Sequence, residues 1–304
     1  MKRKYCIGER YTLSKHKLSQ FKIRYISLLA VLTSMCLYAQ AQRPDYSGPA
    51  DGRLQKISGR VRSAESGIYL QGAFVRIKGG QLTTETDSKG NFALTTSVSS
   101  GMLIVSYFGY IQQEIPFSIE TEWPLSITVQ LDMTRVTPLT VGDTVPESLW
   151  NLPLHILHNG VMESPFQLKS LKNKKLVVLD FWAGWCAPCV ESVDEWHKVA
   201  LRGLDGLEIV TVHMDYDYKA KPFIARRGWN LPTIYGAGYD ILNRHFFDRY
   251  QVGGIVWIMD GKVEAIYYGK PENLGLIDQL LRGEDVEVVS TAQNTYTKEE
   301  RGVK

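Results

Sequence analysis

The stretch Asp180-Phe181-Trp182-Ala183-Gly184-Trp185-Cys186-Ala187-Pro188-Cys189 constrains this chain more than any other. Just before its aromatic part, Val177-Val178-Leu179 reads as a short, wholly apolar and therefore buried strand. Gly184 and Pro188 bracket a turn. After Val190 the spacing becomes helical, with Val193, Trp196 and Val199-Ala200 on one side. Strand, turn and helix are expected in that order, with Cys186 at the helix start and Cys189 one turn inside. Unpaired N–H groups and the helix dipole favour a thiolate at such a start. A dithiol so placed can attack a disulfide, pass through a mixed disulfide and resolve it internally. The competing reading of the pair is half a zinc site. That reading needs a second ligand pair, the chain has only four cysteines, and His197 falls at no standard ligand spacing, so no metal is expected. His155, His158, His213 and His245 have no ligand spacing or triad partner and are read as structural.

The first 24 residues carry eight basic side chains and one acid, Glu9; Tyr25 to Tyr38 is then uncharged and mostly apolar, and Ala39-Gln40-Ala41 follows. This order reads as a secretory signal peptide over residues 1–41, with a Pro- and Gly-bearing linker over 42–53. A retained anchor is disfavoured by Thr33, Ser34 and Gln40, which dilute the apolar run, and Thr33-Ser34-Met35 matches a lipoprotein signal at Cys36 poorly. Eight of the 35 basic residues and one of the 32 acids lie in this leader, so the remainder is acidic, at about −4 rather than +3. Nothing in that balance argues for nucleic acid or an anionic membrane surface. Cys6 and Cys36 also belong to the leader, leaving Cys186 and Cys189 alone. An exported chain with one vicinal pair and no other thiol keeps its cysteines for chemistry.

Residues 54–134 carry an all-β signal. Strands are expected at 55–62, 73–78, 81–86, 91–96, 102–108, 110–117 and 126–132, separated by Gly79-Gly80, Asp87-Ser88-Lys89-Gly90, Ser99-Ser100-Gly101 and Gly109. Seven short strands at this spacing predict a β-sandwich. Asp87 with Gly90 is read as a turn aspartate rather than a metal loop. The segment resembles the carboxypeptidase regulatory-like domain through Ile57-Ser58-Gly59-Arg60-Val61, Leu70-Gln71-Gly72-Ala73-Phe74-Val75, Thr86-Asp87-x-x-Gly90-x-Phe92 and Phe108-Gly109-Tyr110. That resemblance implies an immunoglobulin-like sandwich of the kind found in Gram-negative envelope proteins and at the front of TonB-dependent transporters. It implies spacing or docking, a membrane protein included among the partners, and carries no chemistry of its own.

Phe181-Trp182-Ala183-x-Trp185-Cys186-x-Pro188-Cys189 in its strand-and-helix setting resembles the thioredoxin superfamily, and within it the TlpA-like thiol-disulfide oxidoreductases. Val141-Gly142-Asp143-x-x-Pro146 is similar to the opening of their catalytic domains. The resemblance implies a thioredoxin-like α/β domain over 135–283: an extra hairpin region at 151–173, the strand 176–182, a helix 186–201 and a strand 207–214. Helical stretches at 218–228, interrupted at Pro222, and at 239–250 would follow. A hairpin about Asp260-Gly261 and a closing helix at 272–282 complete it. Residues 284–304, polar and charged, are expected as a disordered tail.

From the resemblance, Cys186 is expected as nucleophile and Cys189 as resolving thiol, with Trp185 part of the substrate-facing wall. Asp180 is the expected proton acceptor, since a desolvated carboxylate has a raised pKa and can act as a base near neutrality. Ser192 and Asp194 stand where TlpA-like proteins often carry glutamate and proline; the missing proline should leave the helix straighter. The family's cis-proline loop, which packs on the cysteine pair and binds substrate backbone, has two candidate places, Pro232 and Gly253. Gly253 runs straight into the hairpin, so Val252-Gly253 is chosen as the substrate-binding loop. The usual proline is then missing, and restoring it at 253 is expected to keep or raise disulfide reductase activity.

Together these features predict an all-β immunoglobulin-like sandwich followed by a thioredoxin-like domain that exchanges disulfides with proteins of a Gram-negative periplasm or envelope. No cofactor is expected beyond an electron-transfer partner protein. The alternative is an envelope scaffold whose thioredoxin-like domain is a weakly active adaptor.

Overall fold

In the first strand, β1 (Gln55–Ser63), every second side chain from Ile57 onward is buried, as a strand covered on one face requires. The computed structural model describes residues 54–247, 250–271, 274–288 and 290, with the side chain of Ser164 excepted. The expected leader and linker lie outside the described residues. β2 (Phe74–Ile77), β3 (Thr83–Glu85), β4 (Asn91–Thr96), β5 (Ser100–Ser106), β6 (Gln113–Ser118) and β7 (Leu125–Val129) complete the all-β part. They form one sheet in the order β4-β1-β7 and another in the order β3-β2-β5-β6. The expected strands are all present, displaced by a few residues where turn residues join a ladder. β1 runs antiparallel to β4 and parallel to β7, and a Cβ at Gly59 would stand 2.7 Å from the Leu125 carbonyl oxygen and from the Phe92 ring. Only glycine lets the three strands close up there. Asp87 Oδ1 accepts the N–H groups of Lys89 and Asn91, each at 2.8 Å, so this aspartate holds its own turn.

The second part contains α1 (Glu147–Trp150), β8 (Leu154–His158), β9 (Val161–Phe166), β10 (Leu176–Trp182), α2 (Ala187–Ala200), β11 (Leu207–His213) and α3 (Asp217–Arg227). It continues through β12 (Thr233–Tyr235), α4 (Ala237–Phe246), β13 (Gly254–Met259), β14 (Lys262–Tyr268) and α5 (Ile277–Arg282). The seven strands make one mixed sheet in the order β14-β13-β10-β11-β12-β8-β9. β10 lies inside the sheet, parallel to β11 and antiparallel to β13, and every one of its residues is buried. The β13–β14 turn uses Asp260 and Gly261 with φ +48 and +77, as a two-residue hairpin of this twist demands.

Three expectations are revised. α3 runs through Pro222, whose missing N–H removes one internal bond without ending the helix, and Gly228 (φ +68) closes it. The helix expected at 239–250 spans Ala237–Phe246 and follows a strand, β12, that is three buried residues long and too short for periodicity to mark. Within the segment expected as a tail, Val286 and Val288 pack on the core, and Ser290 Oγ donates to the Ile266 carbonyl at 2.7 Å.

Two apolar clusters flank the sheet. Leu176, Val178 and Trp182 of β10 join Cys189, Val193 and Trp196 of α2 and Ile277 and Leu280 of α5. Val177, Leu179 and Phe181 join Tyr239, Leu242 and Phe246 of α4, and this cluster continues without a break into the sandwich core at Ile57, Leu70 and Leu131. The sandwich is therefore seated on α4. Its Ser66 and Tyr110 hydroxyls donate to Asp240 Oδ2 at 2.8 and 2.9 Å, and Glu65 pairs with Arg244 at 2.7 Å.

Candidate functional site

The turn after β10 ends at Cys186, which occupies the N-cap of α2; its N–H bonds to the Ala183 carbonyl and its carbonyl accepts Val190 N–H, both at 3.0 Å. Pro188 sits in the first turn of α2, where a missing N–H costs nothing. Cys186 and Cys189 are joined in a disulfide with their Cα atoms 5.3 Å apart. The two sulfurs differ in access: Cys186 is half-buried, whereas Cys189 is 1% exposed inside the cluster that α2 shares with β10. Trp185, next to the outer sulfur, is 70% exposed. An incoming group can therefore reach Cys186 and not Cys189.

Asp180 is fully buried on β10. Burial pushes its carboxyl up to about 7, and the Ser192 hydroxyl, which donates to Oδ2 at 2.7 Å, only partly opposes this. The other carboxyl oxygen has no partner among the described residues. Ser192 lies on α2 three residues beyond Cys189, so a single helix carries the inner sulfur and the donor to the buried acid. In the sequence Ser192 registers only as a departure from a family pattern. The signal that could have found it is its position, on the buried face one turn after Cys189. Asp194, the other departure, accepts the Trp229 indole N–H at 2.7 Å and pairs with Arg227, tying α2 to the end of α3. His213 is held near 4 by burial and its Nδ1 accepts Asp215 N–H at 3.1 Å, so the ring is uncharged at neutral pH.

The loop before β13 lies against the inner sulfur: a Cβ on Gly253 would be 3.0 Å from Cys189 Sγ. Pro232 instead leads into β12, with its carbonyl accepting Thr211 N–H from β11. Val252 packs on the same cluster as Cys186. Gly253 has φ +84, its N–H donates to Phe181 at 2.9 Å and its carbonyl accepts Gly269 N–H at 2.8 Å. The expectation that proline at 253 would keep or raise activity is corrected, because proline needs φ near −65° and has no N–H to donate to Phe181. The one cis peptide among the described residues is Trp123–Pro124, so the Val252–Gly253 bond is trans. No group of three or more potential metal ligands occurs among the described residues, and no helix among them is long and apolar enough to cross a membrane.

Two family models match the chain: the CarboxypepD_reg-like domain over residues 57–137 and Redoxin over residues 140–254. The chain is 30% identical over 87 residues to TonB-dependent receptor P3 of Formosa agariphila, covering 29% of this chain and 8% of the receptor. It is 32% identical over 74 residues to a thioredoxin of Acidithiobacillus ferridurans, covering 24% of this chain and 67% of that protein. It is 37% identical over 67 residues to the thiol:disulfide interchange protein HelX of Rhodobacter capsulatus, covering 22% of this chain and 36% of HelX. The chain thus spans a small part of the receptor, about two thirds of the thioredoxin and about a third of HelX.

Proposed function

We propose that this chain, which belongs to the thioredoxin superfamily and carries a CarboxypepD_reg-like domain ahead of its redox domain, is a thiol-disulfide oxidoreductase acting through Cys186 and Cys189. The observation that carries the reading is the asymmetry of the pair: one sulfur within reach at a helix start, the other sealed in the core on the helix whose Ser192 donates to a buried acid. In the reduced protein the Cys186 thiolate attacks a substrate disulfide. A Cys186–substrate bond forms, the substrate S–S bond breaks, and the departing substrate sulfur takes up a proton from solvent. Cys189 then gives its proton to the Asp180 carboxylate and attacks Cys186 Sγ. The Cys186–substrate bond breaks, the second substrate sulfur leaves as a thiolate that takes up a proton from solvent, Asp180 returns its proton to solvent, and the Cys186–Cys189 disulfide of this structure remains. Two electrons pass to the substrate, and a partner protein dithiol returns them. The reverse sequence oxidises a substrate dithiol, and the reduction potential sets which direction prevails.

Trp185 forms the outer wall against which a substrate rests, and Val252 offers the backbone at the loop, since both polar groups of Gly253 are already paired within the fold. The site operates in the envelope of a Gram-negative bacterium, a reading supported by the signal-peptide pattern of residues 1–41 and by the absence of any other cysteine beyond it. The sandwich docks a partner. The second reading, a weakly active adaptor, is favoured by one observation, the internal pairing of Gly253. Insulin reduction by wild type and Cys186→Ser, beside complementation of a deletion strain, separates the two. Turnover lost together with complementation supports the enzyme; full complementation by Cys186→Ser overturns it.

A further inference from the structure

The loop on Cys189 has a glycine with positive φ at its contact point, so nothing in its own covalent structure stiffens it. Besides the two backbone hydrogen bonds of Gly253, it is held by side chains at Gln251. Gln251 N–H donates to Asn243 Oδ1 at 2.9 Å, Asn243 Nδ2 donates to the Gln251 carbonyl at 2.6 Å, and Tyr239 Oη donates to that same carbonyl at 2.6 Å. The carboxamide thus pairs with a backbone unit as an adjacent strand would, and the carbonyl has both lone pairs filled. Asn243 and Tyr239 are wholly buried on α4, where orphaning a donor or acceptor is costly. Two residues beyond the clamped residue, Gly253 lies over the inner sulfur, where an added Cβ would stand 3.0 Å from Cys189 Sγ.

The same helix is fixed from its other side. Asp240 and Arg244, next to Tyr239 and Asn243 in sequence, are the residues that take the sandwich contacts. α4 therefore gives the loop a base that cannot slide, and the clamp transmits that rigidity to the covering of Cys189.

We infer that Asn243, backed by Tyr239, is a positioning residue for disulfide exchange: its carboxamide holds the 251–253 loop on Cys189, so that attack from outside falls on Cys186 alone. The inference rests on the exchange function proposed above. Losing the clamp opens the loop locally and admits reagents to the inner thiol, with the sheet intact.

The test uses the full chain, reduced and well below its unfolding temperature. The rates of alkylation by iodoacetamide at Cys186 and at Cys189 are measured by peptide mass spectrometry in wild type, Asn243→Ala, Tyr239→Phe and Ile77→Val. The last variant trims a buried side chain of the sandwich and serves as a stability control. The ratio of Cys189 to Cys186 labelling is expected to rise about tenfold in Asn243→Ala and about threefold in Tyr239→Phe, with no change in Ile77→Val. An unchanged ratio in a folded Asn243→Ala, or an equal rise in Ile77→Val, overturns the inference. If Asn243→Ala does not fold, Tyr239→Phe decides, and an unchanged ratio there overturns it as well. Failure of wild type to reduce any disulfide would refute the proposed function while leaving this ratio as predicted, so the two failures are distinguishable.

Discussion

Replacing Asp180 with asparagine should make the protein more stable and a worse catalyst. Folding takes this carboxyl from 3.8 to about 7 because burial disfavours its charge and the Ser192 hydroxyl is its only donor among the described residues. The folded value is raised, so the folded state binds the proton more tightly than the unfolded chain. The favourable contribution is fully present below pH 4 and is lost as pH rises through 7. At pH 8 the ionised fold therefore bears a penalty of roughly 4 kcal/mol at most, and about 2–4 kcal/mol once relaxation around the charge is allowed for. Asparagine has nearly the same shape, can still accept the Ser192 hydroxyl and carries no charge to desolvate. Oxidised Asp180→Asn should then gain about 2–4 kcal/mol over oxidised wild type at pH 8 and nothing at pH 4, a rise of about 5–15 °C in Tm. Using the oxidised form keeps thiol titration out of the comparison. The assay is thermal and urea unfolding of both proteins at each pH, with insulin reduction alongside. Equal stability gains at pH 4 and pH 8 would refute the argument, since packing and not ionisation would then be the cause.

Ser192→Ala removes the donor that favours the Asp180 carboxylate, so the pH limb of the resolving step should move upward from near 7 by about one unit, read from the rate of Cys189 attack on a preformed mixed disulfide. Gly253→Pro should lower stability by about 3 kcal/mol or more and abolish turnover, because φ +84 and the N–H bond to Phe181 are both forbidden to proline; urea unfolding that matches wild type would show the loop geometry to be wrong. Trp185→Ala touches an exposed side chain, so unfolding should shift by less than about 0.5 kcal/mol while the rate of mixed-disulfide formation with a protein substrate falls and that with a small disulfide does not.

β10 was legible because Val177-Val178-Leu179 is wholly apolar and Asp180 is the single polar residue within Leu176–Trp182. β2 and β7 were legible because apolar and polar residues alternate along residues 73–78 and 126–131. The cysteine pair could be placed because Pro188 and the apolar spacing of α2 fix where that helix starts. Other features depend on what folding brings together. Ser192 is an ordinary helix serine until β10 places a carboxylate beneath it. Asp240 looks like a surface acid, and it is buried only because the sandwich closes over it with Ser66 and Tyr110. Asn243 acquires its partner from a loop eight residues on, after a helix end that periodicity does not locate. The positive φ of Gly253 was hidden for a related reason. The sequence shows that glycine permits such an angle, and only the pairing of β13 with β10 and β14 imposes it.

The most direct measurement of the central claim is trapping by reduced Cys189→Ser. With the inner thiol replaced, attack on a substrate disulfide can begin and cannot be resolved. Incubated with insulin or with extract of the native cells, this variant is predicted to accumulate a reductant-sensitive adduct whose bridging peptide contains Cys186, while Cys186→Ser accumulates none. An adduct on Cys189 in Cys186→Ser, or no adduct on Cys186 in Cys189→Ser, would contradict the assignment of the outer sulfur as the attacking one.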